Sequence, residues 1–145
     1  MIKQLIRIIA IMVILLAHTI LGFAEFQPDS PRWIWCGSND TIGVWLDADS
    51  VYERPLRSGD TRVYIWALFY HNNPTEYLEK MQYTVDLRKR VFSVKEYVKE
   101  DLNGNIIETR TFTNMPFSGI VPGSYSETFY KVAKVYHKMH IASGQ

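Results

Sequence analysis

One stretch, Arg62–His71, limits the choice of fold more than any other. Val63, Ile65, Ala67 and Phe69 alternate with Tyr64, Trp66, Leu68 and Tyr70, so the strand it predicts is apolar on both faces. Such a strand has to be covered from two sides and belongs at the centre of a sheet. The rest of the chain is then read for what can flank and cover it.

Its neighbours read as strands as well. Trp33–Gly37 is a short aromatic run, and Ser38-Asn39-Asp40 is turn chemistry. Ile42, Val44 and Leu46 alternate with Thr41, Gly43 and Trp45 as a hairpin partner, and Asp47–Val51 closes that strand in one tight helical turn. Arg54–Asp60, with Pro55 and Gly59, is expected as a loop. Beyond Asn72-Asn73-Pro74-Thr75, the residues Met81, Tyr83, Val85 and Leu87 alternate with polar ones, and Phe92, Val94 and Val98 continue the theme. Asn103-Gly104 is the clearest turn, both residues tolerating positive φ, and Ile106–Thr113 should return antiparallel to Val91–Lys99.

The last element differs. Ser124 and Glu127 have the spacing of a capping box after Pro122-Gly123, and Tyr125, Phe129, Val132, Ala133 and Tyr136 then recur at helical spacing. Lys131, Lys134 and Lys138 fall on the wet side. The expected fold is therefore α+β: an antiparallel sheet of five to six strands packed by a C-terminal helix.

Residues 1–24 read as a secretory signal peptide. Lys3 and Arg7 precede the apolar run Ile8–Ala17, and Gly22-Phe23-Ala24 offers small residues at the −3 and −1 positions of a cut before Glu25. Residues 25–32 form an extended lead-in and 33–145 a single domain. Without Lys3 and Arg7 the balance becomes 14 basic residues against 15 acidic, which gives no pull towards nucleic acid or an anionic membrane. The expectation is a periplasmic or secreted protein, held to no membrane once the leader is cut. The single cysteine, Cys36, lies in an apolar stretch. Two readings stand for it, a buried inert thiol or an intermolecular disulfide.

Chemistry-bearing residues are sparse. Asp47, Asp49 and Glu53 form an acidic cluster, but a calcium loop counted from Asp47 needs glycine and glutamate where Tyr52 and Ser58 stand. Asp47 and Ser50 are assigned structural roles at the turn. His137 and His140 could share a helix face and begin a metal site with His71, or act as cations at the helix end. No nucleophile elbow, phosphate-cradling loop or nucleotide fingerprint is present, and nothing calls for a cofactor. Arg88, Lys89, Arg90 and Lys95 form the one basic cluster, either a solvated strand end or a patch for an acidic partner surface.

The order Trp33-Ile34-Trp35, Val44–Val51 with its aliphatic-Asp-x-x-Ser-aliphatic step, Arg62–Trp66 and Pro122-Gly123-Ser124 with Glu127 resembles the surface-adhesin protein E family of exported bacterial proteins. The resemblance spans roughly residues 33–138. It implies a small antiparallel sheet packed by a C-terminal helix, on an envelope protein whose name-giving member contacts host matrix and plasma proteins, is a lipoprotein and can dimerise. Members often carry a cysteine pair tying sheet to helix. Here neither Leu87 nor Val132–Tyr136 supplies one, and Glu25 stands where a lipidated cysteine would. The functional expectation is a non-enzymatic exported binding protein, adhesin-like in the sense of that resemblance. Its expected partner is a second copy of the chain or a host or envelope protein. The alternative is a small periplasmic metal-binding or hydrolytic protein with a site assembled from dispersed residues.

Overall fold

In chain order the strands are β1 (Trp33–Ser38), β2 (Ile42–Asp47), β3 (Tyr52–Pro55), β4 (Thr61–His71), β5 (Tyr77–Asp86), β6 (Val91–Glu100), β7 (Ile106–Thr111) and β8 (Ser118–Gly119), followed by helix α1 (Tyr125–Ala142). This computed structural model describes residues 26–143, so the leader expected at 1–24 lies outside the described residues. All pairings are antiparallel. The sheet runs β1-β2-β4-β5-β6-β7, with β3 beside β4 and β8 beside β6. The α+β architecture is thus an antiparallel sheet packed by one C-terminal helix. Among the described residues no helix is long and apolar enough to cross a membrane.

Eight strands stand where five to six were expected, because two lines of the sheet are broken. β2 lies along one half of β4 and β3 along the other, and the 3-10 turn Ala48–Ser50 fills the gap. Arg54 and Pro55, expected in a loop, therefore belong to a strand. At the break, the Ser50 hydroxyl accepts the Trp66 N–H at 2.9 Å and donates to the Asp47 carbonyl at 2.8 Å. It thereby replaces the ladder bond that the turn removes from β4. Asp47 is buried. Its carboxylate accepts the Asp49 N–H at 3.1 Å, capping the turn, and the Arg32 Nε–H at 2.9 Å, with Arg32 Nη2 meeting its second oxygen. The structural roles expected of Asp47 and Ser50 are both present, and Arg32 is an addition that the sequence did not show.

β4 is covered on both faces. On one, Val63, Ile65, Ala67 and Phe69 join Val44, Leu46, Tyr83 and Val85 beneath Phe129, Val132 and Ala133 of α1. Lys131, Lys134 and Lys138 stay exposed. Cys36 is buried in this core, and burial pushes its thiol well above the ordinary value. On the other face, Trp45, Leu68, Tyr70 and Leu78 pack with Phe26, Trp33 and Trp35. Phe26 stacks on Tyr70 at 4.9 Å between ring centroids, and Trp35 meets Trp45 edge-on at 4.8 Å. Gly43 makes room for this, since a Cβ there would lie 2.8 Å from the Trp45 ring. Farther along, Tyr52 stacks on Tyr64 at 4.7 Å. The chain itself thus covers both faces of β4.

One local expectation needs correction, and one turn gains detail. Ser124 is the N-cap of α1 but its side chain accepts no backbone N–H of the helix; the hydroxyl donates to the Val121 carbonyl at 2.6 Å and meets the Ser126 hydroxyl at 2.6 Å. Glu127 reaches back to the Gly123 N–H at 2.9 Å, one residue before the position a capping box uses. In the β6–β7 turn only Gly104 takes positive φ. The Asp101 carboxylate organises the loop by accepting the Asn103 and Asn105 N–H groups, each at 2.9 Å.

Ser50→Ala should leave the Trp66 N–H unpaired and cost about 1–3 kcal/mol in urea unfolding. Ser50→Thr, which keeps the hydroxyl, should recover most of it. An alanine variant as stable as the parent would show that the hydroxyl bridge carries no weight.

Candidate ligand-binding site

The residues singled out in the sequence do not converge. Asp47 lies on the face of the sheet away from α1, whereas Glu53 pairs in register with Val63 on the helix side and accepts or shares a proton with His137 Nδ1 at 3.0 Å. The acidic cluster is therefore split across the sheet. His137 is tied to β3 rather than to the carbonyls at the helix end, and His140 stacks on Tyr136 at 6.2 Å. His71 sits at the opposite end of β4, bound to Glu79. Among the described residues no group of three His, Cys, Asp or Glu side chains could hold a metal ion.

The basic cluster separates too. Arg88 Nη1 bonds Asp60 Oδ1 at 2.8 Å, which raises the guanidinium and lowers the Asp60 carboxyl. Arg90, at φ 53°, lies over the Tyr130 ring at 5.4 Å. Lys89 is exposed at the same turn, but Lys95 stands five residues beyond Arg90 along β6, about 16 Å away at strand rise. Arg88, Lys89 and Arg90 thus form a turn with two of its charges already engaged, and Lys95 does not belong to it.

A concave feature among the described residues lies elsewhere. Met81, Val94, Tyr97, Arg110, Phe112 and Met115 line an open cavity of about 310 Å3. Ligand sites run about 300–1,000 Å3, which puts this one at the small end. Register explains the gathering. Ala67, Met81, Tyr97 and Arg110 are cross-strand neighbours in one row through β4, β5, β6 and β7. Val94 shares that face only because Lys95 is an extra residue: Tyr83 pairs with Val94 but Gln82 pairs with Glu96. The bulge turns Tyr97 and Lys99 onto the helix-side face and sends Val98 to the other. Phe112 and Met115 come from the β7–β8 connection, held by the Phe112 N–H to the Lys95 carbonyl at 2.8 Å and the Ser93 hydroxyl to the Met115 carbonyl at 3.1 Å.

A polar cluster borders the cavity. Glu79 takes the Tyr97 hydroxyl on Oε1 and His71 Nε2 on Oε2, each at 2.8 Å. His71 stacks on Tyr77 at 4.4 Å, and Lys99 Nζ lies over the Tyr77 ring at 4.0 Å. Burial first, then the hydrogen bond and charge of Glu79, push the Tyr97 phenol well up. Because that hydroxyl turns towards Glu79, Tyr97 presents ring carbon to the cavity. Neither the cavity nor this cluster is visible in the sequence pattern. Alternation alone groups Phe92, Val94 and Val98, and only a bulge could have placed Tyr97 beside Val94.

The phenols of Tyr52, Tyr77, Tyr83, Tyr97 and Tyr125 are all raised, burial being the first cause in each. The unfolded chain gives up these protons near pH ~10 while the folded one keeps them. Their contribution to stability is therefore whole below that pH and lost as pH rises through the folded values. Urea midpoints should fall above pH ~10. Glu79→Gln should bring phenol ionisation, followed by ultraviolet absorbance, to lower pH; an unchanged titration would contradict the Glu79–Tyr97 contact.

No family model matches this chain, and neither a curated protein nor a solved structure matches it, so the surface-adhesin protein E resemblance rests on its short motifs alone.

Proposed function

We propose that this is an exported, non-catalytic binding protein of the bacterial envelope that recognises its ligand in the cavity beside β5, β6 and β7. The observation that carries the reading is the cavity's lining: five apolar or aromatic side chains with Arg110 at the rim, shaped by a bulge and a looped connection. Concave, mostly apolar sites with few placed polar groups are the usual form of small-ligand recognition. The neighbouring polar groups support binding over turnover, since Glu79, His71 and Tyr97 already satisfy one another.

Export rests on the leader, which lies outside the described residues. An adhesin-like role, as the resemblance implies, would draw on Arg88, Lys89, Arg90 and Lys95. That cluster is the weaker carrier, because Arg88 and Arg90 are engaged within the fold. A homodimer or an envelope or host protein partner would dock elsewhere than on β4, which the chain covers itself.

Expressed whole in a Gram-negative-type host, the protein should be recovered from the periplasm with Glu25 as its first residue. A product kept in the membrane with its leader intact would overturn soluble export. The periplasmic protein should enhance the fluorescence of neutral phenylnaphthylamine. Val94→Trp, which fills the cavity, should abolish the signal, and Arg88→Gln with Lys89→Gln should leave it unchanged. A signal that survives Val94→Trp would move the ligand site elsewhere.

A further inference from the structure

We infer that the cavity beside β7 takes a small amphiphilic anion, an apolar chain or ring of about ten carbon atoms bearing one carboxylate. The inference rests on the binding reading above and specifies its ligand. The walls offer almost no polar partner. The Tyr97 hydroxyl is committed to Glu79, the Phe112 N–H to Lys95 and the Met115 carbonyl to Ser93. Met81 turns its sulfur to the Tyr83 hydroxyl at 3.4 Å. A sugar or a polar peptide group placed against these walls would lose its hydrogen bonds to water without replacement. An apolar body loses nothing there, and two methionines let the walls adjust to its shape.

Of the lining side chains, the charged one is the Arg110 guanidinium. Its Nε–H bonds Glu108 Oε1 at 2.5 Å and Nη2 meets the same oxygen, which leaves Nη1 unengaged. The pair is exposed on both sides, with Arg110 at 60% and Glu108 at 37%, and surface pairs of this kind are weak. A ligand carboxylate can share the guanidinium through Nη1, or displace Glu108, in the fork geometry that arginine favours. A cationic head would meet repulsion at the same place, and an uncharged one would leave the charge unused.

Displacement of phenylnaphthylamine from the periplasmic protein tests this. Decanoate should compete about tenfold better than decanol, and decyltrimethylammonium should be weakest. Arg110→Gln should remove the advantage of decanoate over decanol, Arg110→Lys should restore part of it, and Glu108→Gln should strengthen decanoate. Equal competition by decanoate and decanol, or an advantage that survives Arg110→Gln, would overturn the anionic ligand and leave the binding reading standing. Capture of the protein by anionic phospholipid vesicles without competition by soluble decanoate would overturn it as well. Failure of the probe itself to bind would remove the binding reading and this inference together.

Discussion

Burial of β4 from two sides is the demand that the other elements meet. Its helix-side residues Val63, Ile65 and Ala67 are completely buried, and on the reverse Leu68 and Tyr70 are nearly so. Fully burying one such side chain contributes about 1.5–3 kcal/mol, so a strand with apolar side chains on both faces cannot be left half covered. α1 answers on one side. On the other the chain uses its own beginning: Phe26 and the indoles of β1 and β2 fold over Tyr70 and Leu78. The Arg32–Asp47 pair fixes where that lead-in leaves the sheet. Ser50 lets β2 give way to β3 without an orphaned N–H on β4.

The same geometry decides where an opening has to be. A helix is about 10–12 Å wide and strands lie about 4.8 Å apart, so one helix covers two or three strands. The sheet has six strand positions across and spans roughly 24 Å. With α1 seated over β4 and β5, the helix side of β6 and β7 is left to other means. The Phe112–Phe117 excursion between β7 and β8 supplies part of a wall but not a lid. A cavity at this edge is thus a consequence of packing one helix on a wide sheet. Its apolar lining continues the row that begins in the core at Ala67.

Much of the fold was legible because it rests on period and capping. The double-faced alternation of residues 62–71 identified the central strand, and the spacing of Phe129, Val132 and Ala133 identified the helix and its buried stripe. What stayed hidden depends on contacts distant in sequence. Phe26 and Arg32 look like parts of a proline-bounded lead-in, and only the positions of Tyr70 and Asp47 give them a role. β3 was masked by Pro55, which is tolerated at the end of a short strand. The cavity was least visible of all. It draws on positions from 81 to 115, and its lining depends on the parity of β6, which the extra residue at Lys95 reverses. A lysine in a strand gives no warning of a bulge, because its side chain is acceptable in either register.

Charge clustering in the sequence and usable charge on the surface then turn out to differ. Arg88-Lys89-Arg90 is the densest basic run, yet a tight turn places Asp60 and Tyr130 within reach and takes up two of the three charges. Arg110 has no basic neighbour in sequence and drew no notice there. It stands on an outer strand, over a cavity whose other lining side chains are apolar or aromatic, and its partner Glu108 is a partly exposed residue two positions off. Low competition from neighbouring dipoles, rather than the number of cations, makes a single guanidinium selective. In the proposed reading, specificity comes from one charge set against a dry wall, and the bulge at Lys95 is the backbone feature that puts the wall and the charge on the same face.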